Sequence, residues 1–189
     1  MPRLDSHVQL TLVQGDAPFI IEREARAFVD AILPPEEQTY GLTVIDFETT
    51  PVTEAVGALY SGSLMAGTRV LLLENLQALR AGAARAKEPA EDEEPQEPEE
   101  LGEATRSGAK PPQKVLTEAL ARIPPGVFVV LTHVSTRERK GYAVNAALSK
   151  LVASKGQSVQ HKMPWESELS RWVTQEAKQR GKRLDEPAA

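Results

Sequence analysis

The stretch "LVQGDAPFIIEREA", residues 12–25, decides how the chain begins to fold. It runs from apolar residues through a glycine-containing turn into an amphipathic helix, because Gly15 follows an alternating apolar segment and Pro18 suits a first helical turn. Many nucleotide-binding domains begin with a strand, a glycine turn and a helix, and the turn then holds a phosphate. The stretch therefore predicts the start of an α/β fold of that kind.

The residues that bind phosphate are absent from this turn. A phosphate-binding loop has the form G-x-x-x-x-G-K-[ST], in which glycine admits the phosphate, lysine supplies charge and the hydroxyl binds Mg²⁺. Counting from Gly15, those three places hold Ile20, Ile21 and Glu22. Glu74, at the end of a later strand, could stand for a metal-side acid, but we favour an ordinary solvated glutamate because nothing nearby would hold Mg²⁺.

The rest of the chain alternates between strand and helix patterns. The stretches with strand patterns are 7–14, 40–47, 68–76, 127–134 and 157–163. Apolar residues at helical spacing lie between them, and Pro34-Pro35 is predicted to stop the first helix. Strict alternation of this kind predicts a parallel sheet of about five strands, covered by helices on both faces.

Composition limits the class of protein. The 189 residues include no cysteine, which excludes a disulfide framework and thiolate catalysis. We see neither a signal peptide nor an apolar run of membrane-spanning length, so we expect a soluble, cytoplasmic protein with no membrane partner. The net charge of −5 is misleading, because residues 88–100 hold eight acidic residues and no basic ones. Residues 82–110 are rich in proline and charge, and we predict a disordered insertion there.

Histidine and serine side chains give no recognisable catalytic or metal site. His7, His133 and His161 lie far apart in the sequence without paired ligand spacing. His133 and Ser135 follow a strand, where active sites often lie in open α/β folds, but no nucleophile elbow or triad order accompanies them. We therefore predict structural roles for these residues and no catalytic, cofactor-binding or metal-binding residues.

Two basic stretches raise the question of nucleic acid. They are "RERK", residues 137–140, and "KQRGKR", residues 178–183. No aromatic residues interleave with them, so a solvated face is the interpretation that we favour over a DNA site.

Four motifs in order carry a resemblance to a known family. They are "LTLVQGDAPFIIEREARAF" (10–28), "TRVLLLENLQAL" (68–79), "PPGVFVVLTHV" (124–134) and "ELSRWVTQEAKQRGKRLD" (168–185). In this order and spacing they resemble the delta subunit of bacterial DNA polymerase III, a clamp-loader subunit. The resemblance implies an AAA+/RecA-like fold with a degenerate P-loop. Residues 1–163 would form the AAA+-like domain and 164–189 the start of a truncated helical lid domain, without the family's C-terminal collar domain.

The resemblance also implies a function and a contact site. In this family a small apolar pair before the third strand enters a pocket of the sliding clamp, and Leu64-Met65 match that pair here. Methionine in place of the frequent aromatic residue is a departure, although its flexibility suits an adaptive pocket. The implied protein binds and opens the sliding clamp (beta subunit) during DNA replication and has no ATP site or intrinsic catalysis of its own, although the family is grouped with DNA polymerase as a holoenzyme subunit.

The implied partners are the other clamp-loader subunits, namely the ATPase subunits and delta-prime, and primed DNA indirectly. Two alternatives stay open from the residues alone. One is a divergent NTPase with an unrecognised phosphate site, and the other is a DNA-binding adaptor of AAA+ type.

Overall fold

The computed structural model describes residues 4–61, 67–79, 111–135, 144–179 and 181–183. Its elements are β1 (Leu10–Gly15), α1 (Pro18–Ile32), α2 (Pro35–Gly41), β2 (Leu42–Asp46), α3 (Val52–Tyr60), β3 (Arg69–Glu74), α4 (Pro112–Leu120), β4 (Val127–Val134), α5 (Ala146–Lys155), β5 (Gln157–His161) and α6 (Glu166–Gln179). The predicted insertion at 82–110 lies outside the described residues. Within the described ranges, none of the helices is both long and apolar enough to span a lipid bilayer.

The five described strands form one parallel sheet in the order β2-β3-β4-β1-β5. Every neighbouring pair is parallel, and β1 lies between β4 and β5. The predicted five-stranded parallel sheet is thus confirmed. Because all five strands run the same way, the turns that follow them gather at one edge of the sheet, which we call the carboxyl edge.

Both faces of the sheet are covered by helices, and β3 shows this most clearly. Leu71 and Leu73 belong to the core that the sheet forms with α3, α4 and α5. Val70 and Leu72 belong to the core on the opposite face, beneath α1. All four are at most 1% exposed. Such continuous burial explains the apolar run in this strand, since burying a Val or Leu side chain stabilises the folded state by about 1.5–3 kcal/mol.

One helix was not predicted from the sequence. Pro34 and Pro35 do end α1 at Ile32, but Pro35 is also the first residue of the short helix α2. Proline is tolerated there because the first N–H of a helix has no partner within the helix, and its fixed φ already suits the helix. Consequently the strand expected over 40–47 begins only at Leu42.

Candidate functional site

The turn between β1 and α1 is too short to wrap around a phosphate. Only Asp16 and Ala17 separate Gly15, the last residue of β1, from Pro18, the first residue of α1. Gly15 has φ +153°, and a Cβ there would lie 1.7 Å from the main-chain oxygen of His161. The close approach of β5 therefore requires glycine at this position.

The amides of a phosphate loop are replaced by helix here. The N–H groups of Ile20 and Ile21 both donate to the main-chain oxygen of Ala17 at 3.0 Å. Their side chains are 7% and 1% exposed, so both residues belong to the interior. The positions that would face a phosphate are consequently occupied in hydrogen bonding within the helix and in core packing. Glu22, at the place of the metal-binding hydroxyl, is exposed.

An acidic residue precedes the first turn of α1. Asp16 accepts a hydrogen bond from the main-chain N–H of Met163 at 2.5 Å, and its own N–H donates to the oxygen of His161 at 3.2 Å. Asp16 lies two positions before Pro18, and α1 begins without a side-chain cap at Ala17 and without an acidic residue in its first turn. Asp16 would repel a phosphate, and it ties the turn to the segment that follows β5.

A chain of side-chain hydrogen bonds joins the carboxyl ends of β2, β3 and β4. Asn75, in the left-handed conformation at φ +59°, donates from Nδ2 to Oδ1 of Asp46 at 2.9 Å. Gln77 donates from Nε2 to Oδ1 of Asn75 at 2.9 Å and accepts from the N–H of Val134 at 3.1 Å. These polar groups lie where an enzyme of this architecture keeps its reactive residues. In this chain they hold strand ends together.

Glu74, the one candidate metal-side acid, is half-buried and paired with an arginine. Its Oε1 lies 3.6 Å from Nη2 of Arg26 on α1. Burial raises the pKa of Glu74 above its ordinary value of 4.5, Arg26 opposes that rise, and the carboxylates of Glu22 and Asp46 add to it. The sequence-based expectation of a solvated glutamate therefore needs correction, because Glu74 takes part in the contacts that α1 makes with the strand ends.

The serine and histidines near this edge are integrated into the fold. Ser135 donates from its N–H and its Oγ to the oxygen of Gly15, at 2.7 and 3.0 Å. His133 is 4% exposed. Nε2 of His161 is buried and has no hydrogen-bond partner among the described residues. No group of three or more His, Asp or Glu side chains in the described part of the chain is arranged to hold a metal ion.

The predicted clamp contact, Leu64 and Met65, lies outside the described residues. The structure does describe both flanks of that segment, at the end of α3 and the beginning of β3. Arg69 donates from its guanidinium to the main-chain oxygen of Ser61, and to that of Ala58 at 3.0 Å. The two ends of segment 62–66 are thus joined directly. Because β3 begins at Arg69, this described flank of the segment lies at the edge of the sheet opposite to the carboxyl edge.

Of the basic stretches, residues 137–140 lie outside the described part. Lys178, Lys182 and Arg183 are exposed at and just beyond the C-terminal turn of α6. Cations are favoured there because the helix dipole places partial negative charge at that end. Exposed basic residues are common to a solvated face and to a DNA-binding face, so the solvated face stays a prediction.

Comparison with known proteins identifies similar folds. No protein-family model matches the chain, and no curated protein matches it in sequence. The Bacillus subtilis DNA clamp loader delta protein (YqeN) matches with a TM-score of 0.55 and 16% identity, over 94% of this chain and 45% of that chain. A Thermotoga maritima DNA polymerase III gamma subunit-related protein (tm0771) matches with a TM-score of 0.45 and 13% identity, over 89% and 46%. Domain III of the Thermotoga maritima replication initiation protein DnaA matches with a TM-score of 0.46 and 11% identity, over 97% and 67%.

The match to the delta protein concerns the fold. This chain spans less than half the length of that protein. With a TM-score above 0.5 at low identity, the two share the arrangement of helices and strands, and the predicted α/β fold with a five-stranded parallel sheet flanked by helices is confirmed. The chain therefore shares its arrangement of helices and strands with the part of that delta protein that it matches.

Proposed function

We propose that this chain is a clamp-loader subunit that binds and opens the sliding clamp during DNA replication, without binding ATP itself. The observation that carries the proposal is the β1–α1 turn, which keeps the architecture of a nucleotide site but has helix where the phosphate loop should be. A fold shared with a clamp-loader delta protein supports the same role.

Restoring ATP binding at this turn would require α1 to unwind. The amides of Ile20 and Ile21 would have to leave their bonds to Ala17, and both side chains would have to leave the core. Loss of a buried Ile from a core costs about 2–5 kcal/mol, so the unwound turn would be strongly disfavoured. Asp16 adds like-charge repulsion against any phosphate. These costs argue against the alternative of a divergent NTPase that uses this turn.

The proposed clamp contact is the apolar pair Leu64-Met65. Its support in the structure is the base of the segment, where Arg69 holds the carbonyl groups of Ala58 and Ser61. A short segment held at both ends presents its side chains with less loss of conformational entropy than a free loop does. An apolar anchor that enters a preformed pocket contributes about 2 kcal/mol or more to binding.

Such a contact opens a ring only if it favours the open form. A ligand shifts a conformational equilibrium by the difference between its affinities for the two states, and by no more. We propose that the AAA+-like body of this chain fits the open clamp better than the closed one. The ATPase subunits of the loader would then bind and hydrolyse ATP, and delta-prime would complete the assembly. This chain would reach primed DNA only through that assembly.

A binding experiment with a bacterial sliding clamp tests the proposal. Clamp immobilised on a sensor surface should bind this chain saturably in the absence of nucleotide, and Mg·ATP should leave the affinity unchanged. Absence of binding, or binding that requires ATP, contradicts the proposal. Duplex DNA in place of the clamp tests the adaptor alternative, since a DNA-binding protein loses affinity steeply as salt is raised.

A further inference from the structure

An ion pair near the β1–α1 turn joins helix α6 to α1. Arg23, in the second turn of α1, donates from Nη1 to Oε1 of Glu176 on α6. The two side chains are only 28% and 13% exposed. The guanidinium of Arg23 also lies over the ring of Phe19, 6.0 Å from its centroid. Partial burial and stacking favour one geometry for this pair, which distinguishes it from an exposed surface ion pair.

A second contact fixes the segment that leads into α6. The N–H of Met163 donates to Asp16, which lies two positions before the first residue of α1. Asp16 and Arg23 therefore border the N-terminal turns of α1, where helix amides would receive a phosphate in a nucleotide-binding protein. In this chain both residues bind the segment that contains α6.

The remaining packing of α6 is weak. None of its described side chains is fully buried, and Trp172, Val173 and Ala177 are half-buried. The charge-assisted hydrogen bond between Arg23 and Glu176 is therefore a specific contact that can orient this helix on α1.

We propose that Arg23 and Glu176 form a latch that holds α6 against α1 in one orientation without any nucleotide. The contact between the two helices would then depend only on side chains of this chain. This inference goes beyond clamp binding and does not rest on it, because it concerns only contacts within the chain.

The two tryptophans of the chain make the latch measurable. Trp165 lies just before α6 and Trp172 lies within it, so tryptophan fluorescence reports on this segment alone. In the variant Glu176→Gln we expect amide hydrogen exchange of α6 to accelerate about tenfold. Quenching of tryptophan by acrylamide should increase, while exchange in β1, β3 and β4 stays unchanged.

The matched control is Arg26→Gln. It removes the same charge from the same helix, but Arg26 pairs with Glu74 of β3. Exchange of α6 in this variant should remain at the wild-type rate. The charge swap Arg23→Glu with Glu176→Arg should return α6 exchange toward wild type, because it restores an ion pair.

Two results would overturn the latch. The first is wild-type exchange of α6 in Glu176→Gln, or a charge swap that restores nothing. The second is slower exchange of α6 in the wild type when Mg·ATP is added, since the helix would then respond to nucleotide. If ATP binds but leaves α6 exchange unchanged, the latch stands and the proposed ATP-independent function fails.

Discussion

Arg69 and Ser61 are joined across the base of the segment that we propose contacts the clamp. The guanidinium of Arg69, at the first position of β3, donates to the main-chain oxygen of Ser61, the residue that follows α3. The last carbonyl groups of a helix lack partners within the helix, and a basic side chain can satisfy them. One arginine thus joins the last carbonyl groups of α3 to the first residue of β3.

Removal of this arginine should loosen the proposed clamp contact. In Arg69→Gln we expect clamp affinity to fall several-fold and the free energy of unfolding to fall by about 1 kcal/mol, because the bonds to charged guanidinium are lost. Surface plasmon resonance and urea denaturation measure the two effects. The exposed Arg122, just beyond α4, provides the control Arg122→Gln, which should change neither quantity. Unchanged clamp affinity in Arg69→Gln would show that the base of the segment is irrelevant to binding.

Truncation of the apolar pair itself should have the larger effect. The double change Leu64→Ala with Met65→Ala should weaken clamp binding at least about tenfold, since two apolar anchors are lost. Melting temperature should stay near the wild-type value if the pair belongs to the surface. Val44, an exposed apolar residue on the edge strand β2, gives the control Val44→Ala, for which we expect wild-type binding. Survival of binding would place the contact elsewhere, and a collapsed fold would place the pair in the core.

The parts of the fold that depend on local pattern could be predicted from the sequence. The run of apolar residues in β3 and the helical spacing in α1 each reflect burial against neighbours. These patterns therefore indicate that an element is present and whether it is a strand or a helix. The helix α2 was missed because Pro34-Pro35 was interpreted only as a stop, although proline also suits a helix start.

Contacts between distant residues could not be predicted in the same way. Asp46, Asn75 and Val134 are brought together only because β3 lies between β2 and β4 in the sheet. Alternation of strands and helices does not specify that order. The polar residues Asn75 and Gln77 directly after a buried strand were the available signal for this network. Arg23 and Glu176, 153 residues apart, left no such signal.

Grafting phosphate-loop residues onto the turn should not create an ATP site. The triple change Ile20→Gly, Ile21→Lys and Glu22→Thr supplies the missing residue types, but α1 has already begun at Pro18. We expect titration calorimetry with Mg·ATP to show no heat of specific binding for this variant or for the wild type. The variant should lose several kcal/mol of stability, because it removes buried side chains and buries a charge. Micromolar ATP affinity in the wild type would revive the NTPase alternative.

The acidic segment should be dispensable for folding. Residues 82–110 hold few apolar side chains that could add to a core. Their replacement by a short Gly/Ser linker should leave the melting temperature nearly unchanged in differential scanning calorimetry. A decrease of many degrees would mean that the segment packs on the folded part.

The half-buried carboxyl group of Glu74 should make stability depend on pH. Its pKa is raised in the folded protein, chiefly by burial and despite Arg26, so the folded state holds this proton more tightly than the unfolded state does. The contribution of this group to stability is fully present when the pH is below about 4.5, the ordinary pKa. It is lost as the pH rises through the raised pKa of the folded state. We therefore expect the unfolding free energy of the wild type, minus that of Glu74→Gln, to decrease as pH rises from 4.5 toward neutrality.

The variant Arg26→Gln provides the companion measurement. Because Arg26 lowers the pKa of Glu74, its removal should raise that pKa further and extend the loss of stability to higher pH. Urea denaturation at a series of pH values measures Glu74→Gln, Arg26→Gln and the double variant. In the double variant the effect of Arg26 on this titration must vanish, because the titrating carboxyl group is gone. The opposite result is an unfolding free energy of the wild type, relative to Glu74→Gln, that increases with pH. It would mean that pairing with Arg26 outweighs burial and that Glu74 stabilises the carboxyl edge as an anion.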